Sequence, residues 1–96
     1  MDYHYKPGDR VVVINEIREN EEYYMRSGSQ FPLANAICVN ECTIRTRKAL
    51  EGTVVTILEY RRNRYIIKET NQKILWTDDM FVGLANEKEC CCESLL

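Results

Sequence analysis

Two neighbouring carboxylates, Asp78 and Asp79, follow directly on Trp76-Thr77. Paired carboxylates are what divalent-metal binding and acid–base catalysis use. Successive helical side chains point about 100° apart, however, so this pair does not converge on one ion. Thr77 as an N-cap with two Asp in the first turn fits a helix start, where the backbone dipole favours negative charge. Met80, Phe81 and Leu84 beyond it read as a lid over the open end of a sheet.

The thiols are the next candidates. Cys38 and Cys42 stand four apart, and Cys90, Cys91 and Cys92 are consecutive. Structural zinc asks for two Cys-x(2–4)-Cys or His knuckles, and three adjacent cysteines make awkward tetrahedral ligands. No metal and no other cofactor is expected; Cys38 and Cys42 read as small apolar fillers. Glu93 occupies the position that a C-a-a-X prenylation box would need for its cysteine. His4 is the sole imidazole and lies in a polar lead-in that frays before the turn dipeptide Pro7-Gly8. A Ser/His/Asp or Cys/His nucleophile would depend on it, and no glycine-rich phosphate loop exists. The expectation is a protein without enzymatic activity and without catalytic residues.

Charge is distributed in two sets. Arg45, Arg47, Lys48, Arg61, Arg62 and Arg64 concentrate the positive charge. Brought together, with Tyr60, Tyr65 and Trp76 as stacking faces, they would suit nucleic-acid or nucleotide binding. The plainer reading is a solubilising turn and an edge strand guarded by charge. Glu16, Glu19, Glu21 and Glu22 precede Tyr23-Tyr24-Met25. Carboxylates beside exposed tyrosines can imitate nucleic acid or dock on a basic protein surface, the rings serving as anchors. The plainer reading is a solvated loop. The formal net charge of −2 gives the whole chain no long-range attraction for phosphate backbones.

These residues need elements to hold them. Val11-Val12-Val13-Ile14 is a short β-branched run that suits a strand with both faces partly covered. Residues 16–30 read as a surface loop with one aromatic pinned to the core, a short strand through Tyr23–Met25 being the alternative. Residues 31–50 fit neither period cleanly, and a short helix or turn is expected within 43–50. After Glu51-Gly52, Thr53 to Tyr60 is a strong strand pattern. Arg61-Arg62-Asn63 supplies a turn in which Asn63 can take positive φ, and Arg64 to Glu69 returns as the partner strand. Thr70 to Lys73 turns again, and Ile74-Leu75-Trp76 completes a three-stranded meander.

Together, Tyr5-Lys6-Pro7-Gly8-Asp9-Arg10-Val11, Glu51-Gly52-Thr53-Val54-Val55-Thr56-Ile57, Arg64-Tyr65-Ile66-Ile67-Lys68-Glu69 and Trp76-Thr77-Asp78-Asp79-Met80-Phe81 resemble a family pattern. It is that of small, mostly uncharacterised phage and prophage proteins of Firmicutes, with K-x-G-D, G-x-x-V-T-I, Y-x-I-x-E and W-T-D-[DE]-M-F in this order. The resemblance covers residues 5–15 and 51–82, and W-T-D-D-M-F is its most specific piece. It implies an SH3-like barrel and a mobile-element origin, and carries no catalytic residue with it.

A chain of 96 residues buries roughly 60% of its unfolded surface and forms one domain. The expected fold is mostly β: a small SH3-like antiparallel barrel over residues 1–84. It has strands near 9–15, 53–60, 64–69 and 74–76, a helical turn near 78–82, an insertion at 16–51 and a flexible tail at 85–96. The expected core is Val11, Val13, Val54, Ile57, Tyr65, Ile67, Trp76, Met80 and Phe81. Lacking an apolar run of the roughly 20 residues a membrane helix needs, and lacking the apolar core of a signal peptide, the chain is expected in the cytoplasm of a bacterial host. Its thiols are then expected to be reduced. The expected function is protein binding: occupying, with Glu16, Glu19, Glu21, Glu22, Tyr23 and Tyr24, the surface of a host protein, for example as an anti-CRISPR-type inhibitor. Nucleic-acid binding through the six basic residues, or a structural role in a phage, are the alternatives. Truncating Trp76 to Ala is expected to cost about 3–5 kcal/mol, measured by chemical denaturation; an unchanged midpoint would place the core elsewhere.

Overall fold

The computed structural model describes residues 3–28 and 36–85. In chain order its elements are β1 (Arg10–Val13), β2 (Glu22–Tyr24), β3 (Ala36–Cys38), α1 (Ile44–Lys48), β4 (Val54–Arg61), β5 (Arg64–Ile67), a 3-10 turn (Asp78–Met80) and β6 (Phe81–Leu84). Four strands make one sheet in the order β5-β4-β1-β6, and β2 and β3 make a separate two-stranded ribbon. Every strand pair is antiparallel. The protein is therefore mostly β with little helix.

The long strand β4 serves two neighbours. Val54, Val55 and Thr56 pair with β1, and Ile57 to Arg61 pair with β5. A bulge at Leu58 lies where the register shifts, and bulges bend the strand that carries them. The β4–β5 connection is a two-residue turn, with Arg62 at φ 53° and Asn63 at φ 60°. Positive φ at both central positions is what matches the right-handed twist of a hairpin. Beyond β5, Tyr65 and Trp76 exchange two backbone hydrogen bonds of 2.8 Å each. The expected third strand at 74–76 is thus a single bridge.

The chain then travels from this edge of the sheet to the opposite one in very few residues. Five strand positions in a flat sheet would separate Trp76 from β6 by roughly 19 Å at the usual ~4.8 Å spacing. Yet the Trp76 and Phe81 rings stack at 5.8 Å. The sheet must curl until its edges meet over the core, with the 3-10 turn bridging them. Among the described residues the ladder itself does not close. Residues 81–84, expected as a lid, form β6 and pair with β1 instead. The helical turn expected near 78–82 is the shorter 3-10 turn. Thr77 takes its N-cap position without a side-chain cap bond, and its hydroxyl is buried with no partner among the described residues.

The core holds Val11, Val13, Val55, Ile57, Tyr65, Ile67, Trp76, Met80 and Phe81. Val54 was expected there and is 38% exposed; Val55 takes its place. The reason is the two-residue period of a strand: Val55 and Ile57 share a face, which excludes Val54. A larger correction concerns the insertion. Ile17, Tyr23, Met25 and Val39 are all buried in the same core, so residues 16–51 are not an external loop. The alternation Tyr23, Met25, Ser27 inward and Glu22, Arg26 outward identifies the strand alternative as the right one. A curled four-stranded sheet is too small to shut water out of its own interior, and the ribbon completes the cover. Helix α1 falls inside the expected 43–50 window.

The lead-in is also packed. The Tyr3 ring stacks on Tyr60 at 3.8 Å, and Tyr5 is buried against Tyr65 and Phe81. Gly28, at φ +76°, lies so close beneath Tyr3 that a Cβ there would overlap the ring. Residues 1–2, and the expected tail apart from the buried Ala85, lie outside the described residues. The strand register makes a sharp contrast measurable. Val55→Ala should cost about 2 kcal/mol, whereas Val54→Thr should change stability by less than about 0.5 kcal/mol. Equal losses in urea denaturation would refute the register.

Candidate functional site

The two adjacent carboxylates stand in the first turn of the 3-10 helix behind Thr77, as expected of a helix start, and are also the hub of the polar structure. Asp78 is buried and accepts hydrogen bonds from the Tyr65 hydroxyl (2.6 Å), the Ser27 hydroxyl (2.7 Å) and the Arg26 backbone N–H (2.8 Å). Asp79 accepts from the Tyr24 backbone N–H (3.1 Å) and, through both oxygens, from the Arg26 guanidinium at 2.9 Å each. Pointing in different directions, as the spacing required, the pair grips two alternate residues of one extended segment. Its geometry is a clamp between the 3-10 turn and the ribbon.

The electrostatics agree. The Arg26 hydrogen bond, helped by the Tyr24 N–H, holds the Asp79 carboxyl below the usual carboxylate range. Burial first, and then the bond to Asp78, push the Tyr65 hydroxyl far above its ordinary value. His4 lies 3.6 Å from Asp78 through Nδ1, which brings Ser, His and Asp together. They do not form a nucleophilic set: the Ser27 hydroxyl donates to Asp78 and receives the backbone N–H of His4 (2.9 Å). Among the described residues no cluster of His, Cys, Asp and Glu could hold a metal ion. Cys38 and Cys42, expected as buried fillers, are free and exposed. Cys90 to Cys92 lie outside the described residues.

The six basic residues are not one patch. Arg47 is inside the protein, 2% exposed, with its guanidinium 5.0 Å from the centroid of Trp76. It donates to the Leu75 carbonyl (2.7 Å) and to Thr43 Oγ1 (3.2 Å), and also contacts Met80 Sδ (3.4 Å). Burial pushes its pKa down to about 10, which leaves it charged at neutral pH. Helix α1 puts Ile44 and Arg47 three residues apart on its inner face. Arg64 is half-buried and ties the hairpin down, donating to the carbonyls of Arg62 and Ala36 at 3.1 Å each. Arg45 and Lys48 line a cleft of about 530 Å³ with Ile17, Arg18, Glu19 and Ile44. Arg61 and Arg62 line a different groove of about 300 Å³, with Gln72, Lys73 and Leu75. Trp76 and Tyr65 are fully buried, and Tyr60 is half-buried under Tyr3, so the expected stacking faces are not offered.

The acidic set is mostly where the sequence suggests. Glu16, Glu19, Glu21 and Glu22 are exposed, with Glu16 paired to Arg18 at 2.8 Å. Tyr23 is the exception. It lies in the core, its hydroxyl accepting the Arg18 backbone N–H (2.9 Å), and burial raises its pKa. Tyr24 is half-buried beneath the Arg26 guanidinium, 5.5 Å from its ring centroid. The tyrosine anchors expected beside the carboxylates are thereby one partly covered ring.

The 530 Å³ cleft is built from the insertion. Its apolar floor is buried Ile17 and half-buried Ile44. Glu51 holds it together, accepting the Ile17 N–H (2.6 Å) and Lys48 Nζ (3.2 Å), while Lys48 also donates to the Ile17 carbonyl (2.9 Å). The Ile17 N–H is the first cause that holds the Glu51 carboxyl below its usual range. Among the described residues no helix is long and apolar enough to cross a membrane. Comparison of the chain with protein-family models, curated proteins and solved structures finds no match.

A carboxyl whose folded pKa is depressed stabilises the fold above its unfolded pKa, and that contribution is lost as pH falls through the folded value. Asp79 and Glu51 both have this sign. The melting temperature should therefore decline between about pH 5 and about pH 3, and Asp79→Asn should flatten that decline. An Asp79→Asn profile parallel to the wild type would show that the Arg26 bond contributes nothing.

Proposed function

We propose that this chain is a non-enzymatic protein-binding module: a small SH3-like barrel of phage or mobile-element origin that occupies a surface of a host protein, such as a component of an antiviral system. The element order supports the barrel: a first strand, a long excursion, a hairpin, a short bridged segment, a 3-10 turn and a last strand that returns to the first. The resemblance of Trp76-Thr77-Asp78-Asp79-Met80-Phe81 to prophage proteins supports the origin. Occupation of the Ser27, Tyr65 and Asp78 polar groups by one another supports a role without catalysis.

The observation that carries the binding reading is the insertion cleft. It combines an apolar floor, Ile17 and Ile44, with a polar rim of Arg18, Glu19, Arg45 and Lys48. Such a mixture, apolar in the middle and charged around it, suits recognition of another protein's side chains. The Arg45 side chain has no hydrogen-bond or ion-pair partner among the described residues, and Arg18 is held by an exposed pair of the kind that yields to competitors. The exposed Glu19, Glu21 and Glu22 lie on the same insertion and extend the surface with opposite charge.

The test is affinity capture of tagged protein from host lysate, comparing the wild type with Arg18→Glu/Arg45→Glu. Both residues are exposed, so the melting temperature should stay unchanged while recovery of the specific partner falls by about tenfold or more. Unchanged recovery with an intact fold would remove the cleft from the interface.

A further inference from the structure

The groove beside the β4–β5 turn lies outside the insertion and is independent of the protein-binding reading. Its lining is Arg61, Arg62, Gln72, Lys73 and Leu75, and no carboxylate is among these residues. Three cations around about 300 Å³ is an unexpected concentration in a chain whose net charge is −2. Like charges held together repel one another, and the repulsion persists until counter-charge arrives.

The walls are two tight turns held side by side. The Arg62-Asn63 turn has positive φ at both residues, and Arg64 Nη1 clamps the Arg62 carbonyl at 3.1 Å. In the opposite wall the Asn71 side chain accepts the Lys73 backbone N–H (2.9 Å), and the Ile74 N–H closes the turn on the Asn71 carbonyl (2.9 Å). The paired 2.8 Å bonds between Tyr65 and Trp76 join the hairpin to the segment carrying the second turn. Arg62 and Lys73 have no side-chain partner among the described residues. Arg61 is paired with Glu59 at 3.3 Å, with the two side chains 43% and 45% exposed, so a stronger anion can displace that carboxylate.

We propose that this groove is an anion site for two directly linked phosphate groups, as in a nucleoside diphosphate. The argument is charge density. An acidic peptide spaces its carboxylates along a backbone of roughly 3.3 Å per residue, whereas a diphosphate delivers two or more charges within one small volume. Guanidinium forks match phosphate oxygens in pairs, lysine adds a compact charge, and Gln72 contributes amide donors. Leu75 supplies the apolar wall against which a ribose or base edge can lie. Because Tyr65 and Trp76 are buried, recognition runs through phosphate and not through aromatic stacking.

The test is thermal melting and titration calorimetry on the full chain with three probes: inorganic pyrophosphate, a nucleoside diphosphate, and a single-stranded octanucleotide. Sodium sulfate at matched ionic strength is the reference. Pyrophosphate should raise the melting temperature above the sulfate reference, and Arg62→Glu or Lys73→Glu should weaken binding by about tenfold or more each. Tighter binding of the nucleoside diphosphate than of pyrophosphate assigns the site to free nucleotides. Tighter, steeply salt-dependent binding of the octanucleotide than of pyrophosphate would show a nucleic-acid site and overturn the linked-phosphate assignment. Amide-shift mapping on the wild type, independent of variant folding, should move residues 61–63 and 71–75. No shift with any probe, an effect no larger than that of sulfate, or binding retained in both folded variants would overturn the site.

Discussion

A buried carboxylate must find donors, and in this protein that requirement joins two parts of the chain that share no ladder. Asp78 collects a tyrosine hydroxyl, a serine hydroxyl and a backbone N–H; Asp79 collects a second backbone N–H and a guanidinium. The two N–H groups belong to Tyr24 and Arg26, alternate residues of the segment that carries Tyr23 and Met25 into the core. Hydrogen bonds to an ionised acceptor are roughly twice as strong as neutral ones. The clamp therefore sets how the ribbon seats on the curled sheet, and with it the shape of everything the insertion presents outward.

The interior cation follows the same logic with the sign reversed. Arg47 enters the core on the inner face of α1, where it meets the Trp76 face and the Leu75 carbonyl. An indole ring and a carbonyl together replace some of the water a guanidinium loses, and burial lowers its pKa only to about 10, which leaves it charged at neutral pH. Trp76 thereby touches both halves of the fold, stacked on Phe81 on one side and capped by the excursion's arginine on the other. Loops tied down in this way can hold a cleft in one shape, and pre-shaped surfaces lose less entropy on binding.

How far the sequence speaks depends on the range of the interaction. Strand β4, a hairpin turn with Asn63 at positive φ, strand β5 and the placement of Trp76 follow from local pattern; that Arg61 belongs to the strand and Arg62 also takes positive φ does not. Val54 shows the limit: a correct strand assignment still needs the period applied strictly to decide which valine points inward. Tyr23, Met25 and Ser27 show a readable signal that was outweighed, because an alternating triplet set among glutamates looks like a decorated loop. By residue type alone Cys38 and Cys42 read as small apolar fillers, but their positions at the ribbon end and the following turn expose them.

The β-rich class, the hairpin, the indole at the centre and the exposure of Glu16, Glu19, Glu21 and Glu22 were legible in residue order, because each rests on contacts between near neighbours or on period-two patterning. Only the folded arrangement of distant segments makes Arg47 interior while Arg45 and Lys48 flank a cleft. The same arrangement brings Arg61 and Arg62 to Lys73 in a separate groove, and makes Asp78 and Asp79, in the first turn of the 3-10 helix, grip the segment of Tyr24 and Arg26. Those outcomes depend on partners up to 55 residues away. Which distant donors reach a charged group is settled only when the curl of the sheet brings them together.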